Sequence, residues 1–207
     1  GQVKEDTNND GKGDKPMVGV KVKLLDGYGE HLAFTKTDYH GKFEFVHLAP
    51  GDYKLMEVTP AGFLDVSDSD GKNPNMISVD LNTEDSTGNM FINEKEKTIT
   101  GQVKEDTNND GKGDKPMVGV KVKLLDGYGE HLAFTKTDYH GKFEFVHLAP
   151  GDYKLMEVTP AGFLDVSDSD GKNPNMISVD LNTEDSTGNM FINEKEKTIT
   201  GQVKEDT

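Results

Sequence analysis

The feature that most constrains this chain is its own repetition. Residues 1–107 and 101–207 read the same, from Gly1-Gln2-Val3-Lys4 through Thr107 and again from Gly101, so the period is 100 residues. Solenoid and propeller repeats of about 20–50 residues bury a core only by stacking on their neighbours. A 100-residue unit is domain-sized, so each copy is expected to fold around its own core. Passage between copies runs through the charged linker Glu94-Lys95-Glu96-Lys97, and Thr98-Ile99-Thr100-Gly101-Gln102-Val103 reads as the first strand of the next copy. The numbering therefore cuts into a strand. The expected organisation is one repeat over residues 1–96, a second over 97–196, and the first strand of a truncated third over 197–207.

Within a repeat the apolar residues keep a period of two. Val18, Val20, Val22 and Leu24 alternate with Gly19, Lys21 and Lys23, the pattern of a half-buried strand. Asp26-Gly27-Tyr28-Gly29 is a hairpin turn into residues 31–37. Tyr39-His40-Gly41 turns into Phe43-Glu44-Phe45, and Ala49-Pro50-Gly51 precedes residues 53–58. Ile77-Ser78-Val79 and Met90-Phe91-Ile92 follow an acidic loop over 65–75. About seven short strands per repeat, with no helical period in any longer window, give an all-β sandwich.

Charge narrows the partners. The chain has a formal net charge of −15 and contains no Arg, Cys or Trp. Such a surface repels nucleic acid and anionic membranes, and no apolar run approaches the roughly 18 residues of a membrane span. Any secretion signal or wall anchor is expected outside this sequence. Without cysteine there is neither a catalytic thiol nor a disulfide, so a small domain of this kind needs another staple, for which a metal is the usual substitute. His31, His40 and His47 lack zinc-ligand spacing, and no Ser sits in a nucleophile elbow. No enzyme is expected.

The sharpest motif is Asp6-Thr7-Asn8-Asn9-Asp10-Gly11-Lys12-Gly13-Asp14. Asp6, Asn8, Asp10 and Asp14 stand at positions 1, 3, 5 and 9 of an EF-hand-type calcium loop, with Gly11 at the sharp turn and the Lys12 carbonyl at position 7. Met17 replaces the bidentate Glu of position 12, so a carboxylate from elsewhere in the fold, or water, must complete the shell. The second copy repeats the set as Asp106, Asn108, Asp110, Lys112 and Asp114; the third start keeps only Asp206. A second cluster, Asp65, Asp68, Asp70 and Asn73 (Asp165, Asp168, Asp170 and Asn173), crowds carboxylates that repel unless a cation sits among them. The competing reading there is a solvated acidic loop. Asp38 and Asp138, in the hairpin beside His40 and His140, are further candidate ligands. The expectation is calcium, about two or three ions per repeat.

Leu48-Ala49-Pro50-Gly51-Asp52-Tyr53-Lys54-Leu55-Met56-Glu57-Val58-Thr59-Pro60-Ala61-Gly62-Phe63 resembles the signature of the collagen-adhesin B-type and serine-aspartate-repeat B-type domains of bacterial surface proteins. Residues 37–45 and the stretch Val3–Lys12 resemble the same family in the same order. The resemblance implies tandem prealbumin-like (transthyretin-like) sandwiches acting as a stalk or fibre segment, extracellular, at the cell surface or in the wall. It implies neighbouring repeats as partners. The alternative is a module that binds a host or matrix ligand or assembles into a filament. It also implies a staple found in many collagen-adhesin B-type domains, an isopeptide bond from a first-strand Lys to a last-strand Asn assisted by an acid. The residues concerned are Lys4, Asn93 and Glu57, and Lys104, Asn193 and Glu157. Strand parity opposes that bond, because Lys4 faces solvent if Val3 faces the core.

Overall fold

A computed structural model describes residues 1–203; Asp206 and the rest of 204–207 lie outside the described residues. The chain divides into two compact units, one built chiefly from Gly1–Lys97 and the other chiefly from Thr98 onward. No helix occurs among the described residues.

The first unit contains β1 (Gln2–Asp6), β2 (Lys15–Pro16), β3 (Lys21–Asp26), β4 (His31–Lys36), β5 (Asp52–Val58), β6 (Phe63–Asp68), β7 (Met76–Asp80) and β8 (Met90–Lys95). They form two four-stranded sheets, ordered β2-β1-β8-β6 and β4-β3-β5-β7. Strand alternation turns one face of each sheet inward. Val3 and Phe91 from one sheet meet Val22, Leu24, Leu55, Ile77 and Val79 from the other, with Phe43 packed on Phe91 at 6.2 Å between ring centroids. The result is an all-β sandwich of two four-stranded sheets. The first and last strands pair in parallel, Gln2–Asp6 against Met90–Glu94 one for one. This pairing joins the two ends of the repeat and places β1's exit beside β8's exit.

One strand begins later than the alternation predicts. Val18 is 64% exposed and lies outside β3. The chain turns at Gly19 (φ +77°), and Thr37 holds the turn: its hydroxyl donates to the Met17 carbonyl at 2.6 Å and accepts from the Val20 N–H at 2.9 Å. Met17, not Val18, is therefore the buried residue.

Gly41 is fixed by its surroundings. It has φ +73°, its carbonyl accepts from the Val3 N–H at 2.8 Å, and a Cβ there would lie 2.5 Å from the Val3 carbonyl oxygen. Both contacts are backbone, so neither yields cheaply. Gly41→Ala is expected to cost about 2–4 kcal/mol, combining left-handed strain with overpacking. Chemical denaturation of the single variant measures it.

The second unit contains β9 (Lys97–Asp106), β10 (Lys115–Pro116), β11 (Lys121–Asp126), β12 (His131–Lys136), β13 (Lys142–Leu148), β14 (Asp152–Val158), β15 (Phe163–Asp168), β16 (Met176–Asp180) and β17 (Ser186–Lys195). Its sheets run β10-β9-β17-β15, with β13 also on β9, and β12-β11-β14-β16. Residues 196–203 form no strand, and Ile199 and Val203 are fully exposed. The strand expected from residue 197 onward is thus absent over the described part of the third start.

Candidate functional site

The loop after β1 curls around the Asp6 carboxylate. Asp6 Oδ1 accepts from the Asn8 and Asp10 N–H groups at 3.2 and 3.3 Å, and Oδ2 accepts from the Gly11 N–H at 2.6 Å. Asn9 (φ +59°) and Gly11 (φ +78°) supply the left-handed residues that close this curl. Asn8 Oδ1 accepts from Asp10 N and Asp10 Oδ1 from Lys12 N, at 3.1 and 2.9 Å. Asp14 Oδ2 accepts from both the N–H and the hydroxyl of Thr7, at 2.9 and 2.8 Å, which holds its carboxyl below the usual range. The second copy repeats these bonds at Asp106, Asn108, Asp110 and Asp114.

The structure adds a residue to this set. Glu94 stands opposite Asp6 in the parallel β1–β8 register, and both are buried. Burial, and next the Asp6 charge, push the Glu94 carboxyl upward, with Lys97 opposing. Two buried carboxylates side by side at a loop of Asp and Asn oxygens are a donor set that suits a hard cation. Among the described residues no three His, Asp or Glu side chains converge on one point, because the loop carboxylates are engaged on their own N–H groups. Sequence reading placed Glu94 in the linker. Only the long-range parallel pairing of β1 with β8 reveals it.

The second acidic cluster divides. Asp65 bonds the Thr59 hydroxyl at 2.6 Å, away from the turn that Asp68 and Asp70 build. Asp68 Oδ1 accepts from the Asp70 and Gly71 N–H groups at 3.0 and 2.8 Å, while its Oδ2 is buried without a partner. Burial, with the Asp70 charge contributing, pushes Asp68 upward; the Ser78 N–H, at 2.9 Å from Asp70 Oδ2, holds Asp70 down. Asn73 is exposed and makes a backbone bridge to Met76. Asp38 caps its own hairpin, accepting from the His40 and Lys42 N–H groups at 2.8 Å each. The same division recurs at Asp165, Asp168, Asp170, Asn173 and Asp138.

Deep in the sandwich lies an acid–amide pair. Asn93 Nδ2 donates to Glu57 Oε1 at 2.7 Å, and Asn193 to Glu157 at 2.8 Å. All four residues are buried, yet Glu57 Oε2, Asn93 Oδ1 and their counterparts have no partner. Two unpaired acceptors in one pair call for one proton: a protonated carboxyl turns Oε2 into a donor for which the amide oxygen is the available acceptor. Burial, the larger cause, together with the Asp65 charge raises Glu57 to about 7 against the Asn93 hydrogen bond; Glu157 behaves alike. Lys4 does not join this pair. Val3 takes the core position, and the Lys4 stem packs where a Cβ on Gly13 would fall, 2.4 Å from Lys4 Cβ. Under denaturing conditions the intact mass is therefore expected to equal the sequence mass. A deficit of about 17 Da per repeat, one ammonia, would contradict this reading.

These features define a class: tandem β-sandwich modules that carry an oxygen-lined loop at the end of their first strand. The chain belongs to the SdrD B-like domain family, whose model matches residues 1–102 and 97–203. It is similar to serine-aspartate repeat-containing protein C of Staphylococcus aureus strains Newman and USA300, 37% identical over 175 residues in each. That match covers 77% of this chain and 18% of the relative, so the chain spans under a fifth of that protein's length. Among solved structures it is similar to the minor pilin GBS52 of Streptococcus agalactiae (18% identity, 98% of each chain, TM-score 0.42). It is also similar to the shaft pilin SpaA of Lactobacillus rhamnosus GG (13% identity, 96% of this chain and 97% of the pilin, TM-score 0.43).

Proposed function

We propose that this chain is a calcium-stapled structural spacer, a stalk segment of an extracellular bacterial surface protein, with no catalytic role. The buried juxtaposition of Asp6 and Glu94 at the mouth of the loop carries this reading. Asp6, Asn8, Asp10, Asp14 and the Lys12 carbonyl would hold the ion, with Glu94 in place of the absent position-12 acid. Calcium supplies charge neutralisation there. The chain's own part is to fix the β1 exit against β8 and hold the loop oxygens in a curl. The partnerless Asp68 Oδ2 supports a second ion at Asp68 and Asp70. The polar side chains of both regions cap turns and loops, the work of a scaffold.

An ion bound only by the folded state adds about 2.7 kcal/mol at a concentration a hundredfold above its Kd. For domains of this size that corresponds to a rise in Tm of roughly 10 °C or more. Thermal unfolding in excess calcium and in excess chelator tests the proposal. Superimposed melting curves would refute it.

A further inference from the structure

A chain with a formal net charge of −15 nevertheless gathers four lysines of each repeat on one outer sheet face. In β3 the core takes Val22 and Leu24, and in β5 it takes Leu55 and Glu57. Alternation therefore turns Lys21 and Lys23, and Lys54, Met56 and Val58, outward. Phe34 and Lys36 of β4 share that face, Phe34 opposite Lys23 and Lys36 opposite Lys21. Phe34 is 56% exposed and Val58 40%, so the face is open. The Lys21 ammonium lies 4.2 Å from the centre of the Phe34 ring. The second repeat builds the same face from Lys121, Lys123, Lys136, Lys154 and Phe134, with Lys121 at 4.0 Å from the ring centre.

For the fold alone this arrangement is unfavourable. Lys21 and Lys36 stand directly opposite each other across β3 and β4, and like charges so placed repel. Lys23 follows two residues along β3, and Lys54 lies diagonally across from it on β5, two residues before its direct partner Met56. Among the described residues none of the four is in an ion pair with a carboxylate. Two outward carboxylates, Asp52 and Asp80, face each other at one end of the sheet, where both accept from the Asn82 side-chain amide at 3.0 and 2.8 Å. Lysine on an edge strand deters unwanted strand pairing, which accounts for Lys36 on β4. It does not account for Lys21, Lys23 and Lys54, which stand on the inner strands β3 and β5.

We infer that the outer face of the β4-β3-β5-β7 sheet, repeated on β12-β11-β14-β16, is a docking surface for a linear acidic polysaccharide. Charge complementarity selects an anion, since four ammonium groups stand together without carboxylate partners. Their stripe crosses β4, β3 and β5 instead of following the edge. A polymer lying over the face reaches all four, whereas a peptide strand added to the β4 edge lies beside Lys36 alone. Between the lysines, Phe34, Met56 and Val58 form an apolar floor, and the electron-rich face of an aromatic ring suits the C–H groups of a sugar ring. The face recurs in each repeat, and a polymer offers each an equivalent segment. The acidic remainder of the chain does not forbid docking, because at physiological salt its repulsion is screened within about 8 Å.

Titration calorimetry of residues 1–207 with heparin tests the assignment. Chelator is present throughout, so that calcium cannot bridge the acidic loops to the polymer. Saturable binding is expected, weakening as salt rises and absent with uncharged dextran. Lys21→Gln, Lys23→Gln and Lys54→Gln, combined with Lys121→Gln, Lys123→Gln and Lys154→Gln, should weaken it by about tenfold or more. A control removes the same charge from exposed sites elsewhere, Lys42→Gln, Lys72→Gln and Lys95→Gln with Lys142→Gln, Lys172→Gln and Lys195→Gln. It should weaken binding by less than about threefold. Matching melting curves for the two variants confine the comparison to surface charge; if the first unfolds, Lys23→Gln with Lys123→Gln replaces it. No heparin binding by the wild type, or equal losses in the two variants, overturns the assignment. Poly-L-glutamate or duplex DNA binding as tightly as heparin overturns it too, by giving the face to another class of polyanion.

Discussion

Glu57→Gln combined with Glu157→Gln is expected to remove most of the stability loss that the calcium-free wild type shows between about pH 5 and about pH 8. The sign follows from the buried acid–amide pair. The folded-state pKa of Glu57 lies near 7, above its ordinary 4.5, so folding favours the protonated carboxyl. That contribution is fully present below about pH 4.5 and is lost as pH rises through 7. The full shift corresponds to roughly 3 kcal/mol per repeat. Gln supplies permanently what the proton supplies conditionally, an N–H donor for the orphan Asn93 oxygen, while its carbonyl keeps the Asn93 amide bond. The variant should therefore exceed the wild type at pH 8 and match it near pH 5. Glu94, raised by burial and by Asp6, adds a slope of the same sign that the variant retains. The depressed Asp14, Asp38 and Asp80 act oppositely, with stability lost as pH falls through the acid range, so the scan belongs above it. Denaturant unfolding at several pH values measures the effect. A wild-type stability that is flat or rising over this range would show that Glu57 is ionised in the fold.

Glu94→Gln with Glu194→Gln should act in opposite directions with and without calcium. Removing a charged oxygen from the ion's shell is expected to weaken calcium binding by about tenfold or more, read by titration calorimetry. In chelator the same change relieves repulsion between neighbouring buried carboxylates in the first repeat, so the calcium-free domain should melt higher. A merely structural Glu94 would shift both curves in the same direction. Unchanged calcium affinity would remove Glu94 from the ion's shell and return the sixth position to water.

Much of this fold is legible in the sequence because its information is local. Val22 and Leu24, Phe43 and Phe45, and Ile77 and Val79 advertise their strands by period-two alternation. The curl from Asp6 to Asp14 is written in the spacing of short polar residues around Gly11. Alternation misleads at Val18, where a turn at Gly19, held by the distant Thr37, shifts the inward position to Met17. Glu94 escapes notice because its meaning lies in a parallel pairing across almost the whole repeat. Asp65 looks like part of one acidic cluster, but a register shift in β6 between Asp65 and Ser67 and a bond to Thr59 separate it from Asp68. Parity argues at the outset that Lys4 points away from the core, and the placement of Val3 and Gly13 gives that argument its physical form. The offset of the repeat is also readable, as a charged linker followed by Thr98-Ile99-Thr100.

If an ion at the loop locks the end of β1 to β8, native mass spectrometry of residues 1–207 should count it. After calcium loading and buffer exchange, at least one retained calcium per repeat is expected, from the loop and Glu94. A second per repeat is expected from Asp68 and Asp70. Both should be lost from a variant that combines Asp6→Asn, Asp68→Asn, Asp106→Asn and Asp168→Asn. A spectrum with no calcium retained, or with the same retention in that variant, would rule out the calcium staple and leave an acidic sandwich held by its core alone.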